Sequence, residues 1–482
     1  MTSSDEPRSR WILISLAVFA MAWAITRAAV QSITIDEAAT YNSFVFNRRY
    51  LWYAANNHVL NSTLMYGLTK VFGLSQFTVR LPALIGAGFY ISAAYRWCRL
   101  LGTSLLVQAT LFVCLVFSPF VFDHLVAARG YGLALGFLMW AIVYSAESCV
   151  QAYPLVAACA VSSLCAGLSV DANFSFAIVD LATMSAIFLL ACYHRPSEWL
   201  RLLTACVLPG AAIVTIVAGD ALYHTHPGEL VYGARSLRET FGSILESSLF
   251  ESPVDFLTPV VVPLVAVAGL VWLLYLFFRR AKSKIAIFGW AAAAIFAVTV
   301  AGHWLAYQLF GLLLPLDRTA IYLFPLFMIV ASVLAAIPGA SKLGRSLRAC
   351  FLAALAVMAM YFLLCLRLTY FKEWYWDRDV QKTYAVLSCL NREHQVTRVV
   401  STWSYRSSLN FYQIAQPTSM QTIDENFDPR QTQVYVIDTL HSPEALQGKD
   451  LKIFYRGPTT DLVLAASPQL ADAYSAGRCF TP

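Results

Sequence analysis

Charge is what this sequence has least of: Lys, Arg, Asp and Glu make up 13% of its 482 residues, against about 25% in soluble globular chains. With 59% hydrophobic residues and a mean hydropathy of +0.61, the chain carries more apolar side chains than water-soluble cores can bury. That excludes an ordinary soluble protein. Other absences narrow the field further. No CxxC or Cys/His spacing is present, which argues against a structural zinc site. No basic run with interleaved aromatics is present either, so a nucleic-acid partner is not expected.

The few charges are unevenly placed. Residues 1–370 hold 23 Lys+Arg and 16 Asp+Glu, while residues 371–482 hold 11 and 12. The second stretch has about twice the charge density and approaches soluble composition. Two parts are expected: a membrane body over residues 1–370 and a small soluble domain over residues 371–482.

A spanning helix needs about 20 mainly apolar residues. Such windows fall at Trp11 to Val30, Leu81 to Cys98, Leu105 to Phe122, Gly130 to Glu147, Pro154 to Val170, Phe174 to Cys192 and Leu200 to Ala218. Four more fall at Phe256 to Phe278, Ile285 to Leu305, Ala320 to Ile337 and Ala349 to Leu368. The expected count is about eleven transmembrane helices.

With the N-terminus in the cytoplasm, the short inner loops hold 13 Lys and Arg, from Arg8 and Arg10 to Arg345 and Arg348, and the longer outer loops hold 8. Positive charge favours the cytoplasmic side. An odd helix count then places the C-terminal domain outside. The first helix is too long for a signal-peptide core and reads as a retained anchor. Nine of the eleven cysteines lie in or beside apolar windows. Cys389 and Cys479 fall in the outer domain, where a bridge and two separate thiols are both open.

Chemistry-bearing residues gather in the outer loops. The first begins Thr34-Ile35-Asp36-Glu37 just past the first helix. Such a pair is either solvated and inert or held over a pocket. Leu60, Leu64, Leu68 and Val71 then recur at helical spacing, which predicts an amphipathic helix in the membrane interface. Arg80 sits at the outer mouth of the next span. A second loop reads Asp123-His124-Leu125-Val126-Ala127-Ala128-Arg129-Gly130-Tyr131, and a third holds His303, Asp317, Arg318 and Tyr322. Arg and Tyr at a helix end are either interface anchors or, because a guanidinium fork matches phosphate oxygens, phosphate-binding groups.

The order of Asp36-Glu37, Asn57-His58-x-Leu60, Phe72-Gly73-x-Ser75-x-Phe77-x-x-Arg80-Leu81-Pro82, Ala128-Arg129-x-Tyr131 and Arg318-x-x-x-Tyr322-x-x-Pro325 resembles the GT-C membrane glycosyltransferases. Within them it is most similar to the protein O-mannosyltransferase and aminoarabinose-lipid A transferase branch. The likeness runs through residues 10–330, with Val59 where that branch has proline. Beyond Leu368 it is only architectural. The resemblance implies a polytopic α-helical membrane protein of GT-C type with a small C-terminal α/β extracytoplasmic domain. It also implies a polyprenyl-phosphate-linked sugar donor and inverting transfer to a lipid, glycan or protein acceptor at the outer face. The compact loops fit a bacterial inner membrane, with an endoplasmic-reticulum membrane also open. Asp36 then matches the catalytic aspartate, with Glu37 beside it.

A sugar leaving with a polyprenyl phosphate departs as a stable anion, so no general acid is needed. A base for the acceptor hydroxyl and cations for the phosphate remain. Asp36 is expected to be the base, with Arg80, Arg129, Tyr131, Arg318 and Tyr322 on the donor phosphate and His58, Asp123 and Asp171 in acceptor or supporting roles. Neither a cofactor nor a metal is expected. Asp180, within a predicted span, is a further functional or structural candidate.

In the tail, helices at Val380 to Asn391 and Tyr405 to Gln413 alternate with strands at Thr397 to Ser401, Val434 to Asp438 and Leu451 to Tyr455. That pattern predicts a small α/β sandwich. Acceptor recognition, capping of the active site and a purely structural role are all open for it. The competing class is a multispan transporter or flippase, which places its polar groups near the bilayer midplane.

Overall fold

The computed structural model describes residues 5–49, 51, 54, 56–151, 154–224, 232–248, 264, 267–275, 284–339, 341–428, 431–447 and 450–479. Among them, eight helices are long and apolar enough to cross a membrane, or nine if a bent pair counts as one span. The chain is a multi-pass membrane protein. The window Phe256 to Phe278 lies largely outside the described residues, with residues 267–275 helical. The window at Gly130 to Glu147 is the helix Tyr131–Gln151, buried along nearly all its length by other protein.

The chain divides into two compact units, one of residues 1–26, 51–61 and 82–366, the other of residues 27–50, 62–81 and 367–482. In the first unit, the expected span over Leu105 to Phe122 is broken. Leu105–Val116 and Pro119–Val126 meet at 59°, because Pro119 opens the second helix and the residue before a proline is pushed out of helical geometry. Asp123 and His124 therefore sit on a helix rather than in a loop. The helices Gln76–Leu100 and Tyr131–Gln151 touch backbone to backbone. A Cβ on Gly86 would lie 2.3 Å from the backbone of Gly132 and Leu133.

The second unit is built on a four-stranded sheet: β1 Val399–Ser401, β2 Val434–Asp438, β3 Lys452–Arg456 and β4 Leu462–Ala466, in the order β1-β2-β4-β3. β1 and β2 run parallel, while β2/β4 and β3/β4 are antiparallel. Helices Val380–His394, Trp403–Ala415 and Pro468–Ser475 belong to the same unit. β4 was not expected. It is buried along its whole length, so it reads as an apolar run without the alternation that marks a half-exposed strand. Cys389 and Cys479 are joined as a disulfide with Cα atoms 5.6 Å apart. The helix expected in the interface forms as Val59–Phe72. Val59, Asn61, Ser62, Met65 and Thr69 are buried on it, and Lys70, Val71 and Phe72 are exposed.

Candidate active site

In the second unit, the chain leaves the first helix and re-enters helix at Ile35–Thr40, followed by a π-helical turn at Tyr41–Phe46. Thr34 is the N-cap. Its hydroxyl accepts from the Glu37 amide at 3.2 Å, and Glu37 Oε2 accepts from the Thr34 amide at 2.9 Å. This reciprocal capping box satisfies two amides at once. It also fixes the Glu37 carboxylate inward, where Arg80 meets it. Arg80 Nε donates to Glu37 Oε1 at 2.9 Å and Nη2 to Oε2 at 2.7 Å. The remaining N–H groups go to the carbonyls of Ala28 and Gln31, from Nη1, and of Ser32, from Nη2.

A guanidinium has five N–H donors, and all five of these end on protein. Both side chains are 0% exposed. Arg80, expected on the donor phosphate, thus has all five donors on protein, and Glu37, expected beside the base, holds the Thr34 amide and the Arg80 guanidinium. Asp36 differs from its neighbour. It is half-buried, and Trp374 Nε1 donates to its Oδ2 at 3.3 Å.

In the first unit, the turn after Pro119–Val126 brings several candidates together. Gly130 has φ +78°, and a Cβ there would lie 2.1 Å from the Ala172 carbonyl and 3.0 Å from His58 Cβ. Only glycine allows this approach. It places Arg129 and Tyr131 beside His58 and beside the end of the helix Leu155–Ala172, which carries Asp171. The Tyr131 ring lies 5.7 Å from His58 and 5.1 Å, edge to face, from His124. Asn61 Nδ2 anchors the turn through the Ala128 carbonyl at 3.2 Å.

His58 is 6% exposed, and neither ring nitrogen has a hydrogen-bond partner among the described residues. Burial first, then the charges of Arg129 and Arg318, push its imidazole well below the ordinary value, so it is neutral. Both carboxylate oxygens of Asp171 are likewise buried without a partner among the described residues. Asp123 is buried on the short helix Pro119–Val126. Arg318 is half-buried and lies over the Tyr232 ring at 5.4 Å.

The ring of Tyr322, expected on the donor phosphate, is fully buried against Phe176, and its hydroxyl is 2.5 Å from His303 Nε2. Asp180 is buried in the helix Ala177–His194 and lines a cavity of about 500 Å³ between three helices.

Sequence reasoning missed Trp374 and Asp377. Asp377-Arg378-Asp379 is an Asp-x-Asp spacing, but its carboxylates are engaged by the protein. Asp377 Oδ2 accepts from the Ile35 amide, and Asp379 accepts from the Thr459 amide and hydroxyl and the Thr460 hydroxyl. Among the described residues, the one cluster with metal-ligand proximity is Cys389, Glu393 and Cys479, and its two sulfurs are the disulfide.

No family model and no curated protein matches the sequence. Solved structures do. The chain is similar to the crystal structure of ArnT from Cupriavidus metallidurans bound to undecaprenyl phosphate, with a TM-score of 0.51 and 10% identity over 98% of each chain. It is also similar to the cryo-EM structure of the arabinofuranosyltransferase AftD from mycobacteria, with a TM-score of 0.50 and 13% identity over 95% of this chain and 40% of AftD. The chain shares the fold of these two proteins, in line with the fold class expected from the motif order. These likenesses lend nothing to the transporter reading.

Proposed function

We propose that the protein is a glycosyltransferase that moves a sugar from a polyprenyl-phosphate-linked donor to an acceptor hydroxyl at the outer face of a bacterial inner membrane. The N-terminus is then cytoplasmic and the acceptor a lipid, glycan or protein. The observation that carries this reading is Asp36. It is a half-exposed carboxylate beside a Glu37–Arg80 pair wholly committed to holding its backbone, on a fold shared with two transferases. The undecaprenyl phosphate bound by ArnT supports the donor class.

In this reading, Asp36 takes the proton of the acceptor hydroxyl as its oxygen attacks the anomeric carbon. The bond from that carbon to the phosphate oxygen breaks on the opposite face, the configuration inverts, and polyprenyl phosphate leaves with the electron pair. The departing phosphate calls for cationic groups to offset its negative charge.

Purified full-length protein in nanodiscs, given radiolabelled undecaprenyl-phosphate hexoses and pentoses together with extracted envelope acceptors, tests the reading. Label from at least one sugar should pass to an acceptor with release of undecaprenyl phosphate, and none should pass with the D36N variant. Equal transfer by D36N overturns it.

A further inference from the structure

We infer that Trp374 and Asp377, at the start of the C-terminal tail, are positioning residues for Asp36, so that the tail is part of the catalytic apparatus rather than an accessory. The inference rests on the reading of Asp36 as base, and it assigns the tail a role that the sequence left open.

The first helix ends at Val30 and the catalytic turn begins at Thr34. Between and beyond them, the backbone is held from residues more than 300 positions away. Ser32 Oγ donates to the Arg378 carbonyl at 2.9 Å. The Ile33 amide donates to the Tyr412 hydroxyl at 3.0 Å, and that hydroxyl donates to Gln76 Oε1 at 2.7 Å. The Ile35 amide donates to Asp377 Oδ2 at 2.8 Å. Asn42 Nδ2 donates to the Ser407 carbonyl at 2.9 Å.

Helix starts leave amides without intrahelical partners. Here Thr34 serves the Glu37 amide and Asp377 serves the Ile35 amide, so Asp36 stands on a turn pinned on both sides of it. Trp374 then acts on the side chain itself. An indole N–H can only donate, so its bond to Oδ2 favours the ionised carboxylate and fixes its rotation. Trp374 is buried and edge-on to Phe371, whose ring also lies beneath Arg80 at 5.1 Å. One aromatic layer thus braces both the base and the ion pair beside it.

Asp377 is 1% exposed, with Ser408 Oγ donating to its Oδ1 at 3.3 Å. Burial first, and the charges of Asp36 and Glu37 among its neighbours, hold its carboxyl well above the ordinary range. What the turn needs from it is therefore an acceptor oxygen, not a charge.

The test uses full-length protein in nanodiscs and the undecaprenyl-phosphate sugar that the unaltered protein turns over. W374F should lower kcat about tenfold, the worth of one hydrogen bond to a charged group, at constant donor KM and within a few degrees of the original unfolding temperature. The acid limb of its pH–rate profile should move to higher pH, because the carboxylate loses a donor that favoured its charged form. The groups around Asp36 that bear on that limb, the charged Glu37 and Arg80 and the titratable Asp377, are unchanged in W374F. D377A should lower kcat similarly, and D377N, which keeps an acceptor oxygen for the Ile35 amide, should recover most of the loss.

An unshifted acid limb and unchanged kcat in W374F, or a D377N variant as slow as D377A, overturns the positioning roles. Transfer by D36N measured alongside separates the two claims: if D36N is active the proposed reaction fails, and if only the tail variants behave as the original protein the positioning inference fails alone.

Discussion

Around Glu37 and Arg80, five guanidinium N–H groups and two carboxylate oxygens are all matched inside the second unit, whereas in the first unit both ring nitrogens of His58 and both oxygens of Asp171 are buried without a partner among the described residues. An unmatched buried polar group costs about 1–3 kcal/mol. Matched groups of this kind build a scaffold. Unmatched ones are tolerated where a ligand or substrate supplies the missing bonds, and a protein that keeps them trades stability for function. The contrast separates a fully matched pair in the second unit from unmatched polar groups around His58 and Asp171 in the first.

The largest effect that could break the contrast is at Arg80. R80A strips a buried carboxylate of its charge partner and should cost about 3–5 kcal/mol, read as a lower unfolding temperature in detergent. A variant that unfolds where the original does would show that the pair is not a scaffold.

A smaller effect concerns the acidity of the turn. Asp377 has a folded-state pKa raised above its unfolded value, so its contribution to stability is fully present below about pH 4 and is lost as pH rises toward the folded pKa. The loss amounts to at most about 1.4 kcal/mol per pH unit. D377N should flatten this part of the stability curve between pH 4 and neutrality, and identical slopes in the two proteins would contradict the assignment.

The smallest effect is at His58. H58L removes the unmatched ring nitrogens and should leave stability unchanged or raised by about 1 kcal/mol, while binding of undecaprenyl phosphate weakens. A drop in stability with intact binding would reverse the contrast. The pH dependence has a definite sign as well: because the folded-state value of His58 is depressed, stability falls as pH drops below about 6.5, and H58L should lose that fall.

The membrane spans were readable because twenty apolar residues need no tertiary information, and the motif order carried the fold class. The bend at Ser118 was hidden by the unbroken hydropathy of its window, although Pro119 marked it. The roles of Glu37 and Arg80 were half-legible. Thr34-x-x-Glu37 has the spacing of the capping box that forms, but nothing in the sequence shows that Arg80, 43 residues on, closes on Glu37.

The partner of Tyr322, His303, lies 19 residues earlier on the helix Lys284–Phe310, beyond the reach of local spacing. Trp374 could not have been found at all, being 338 residues from Asp36. Pattern reading sees neighbours within a helical turn. The division of labour between two adjacent carboxylates is decided by contacts far beyond that.

The most direct measurement compares D36N and E37Q for sugar transfer and unfolding temperature in one preparation. Asp36 as base and Glu37 as counter-ion predict that D36N abolishes transfer without lowering the unfolding temperature, and that E37Q lowers the unfolding temperature by leaving Arg80 buried without an opposite charge. A D36N protein that still transfers sugar, or an E37Q protein as stable as the original and inactive, would contradict the account.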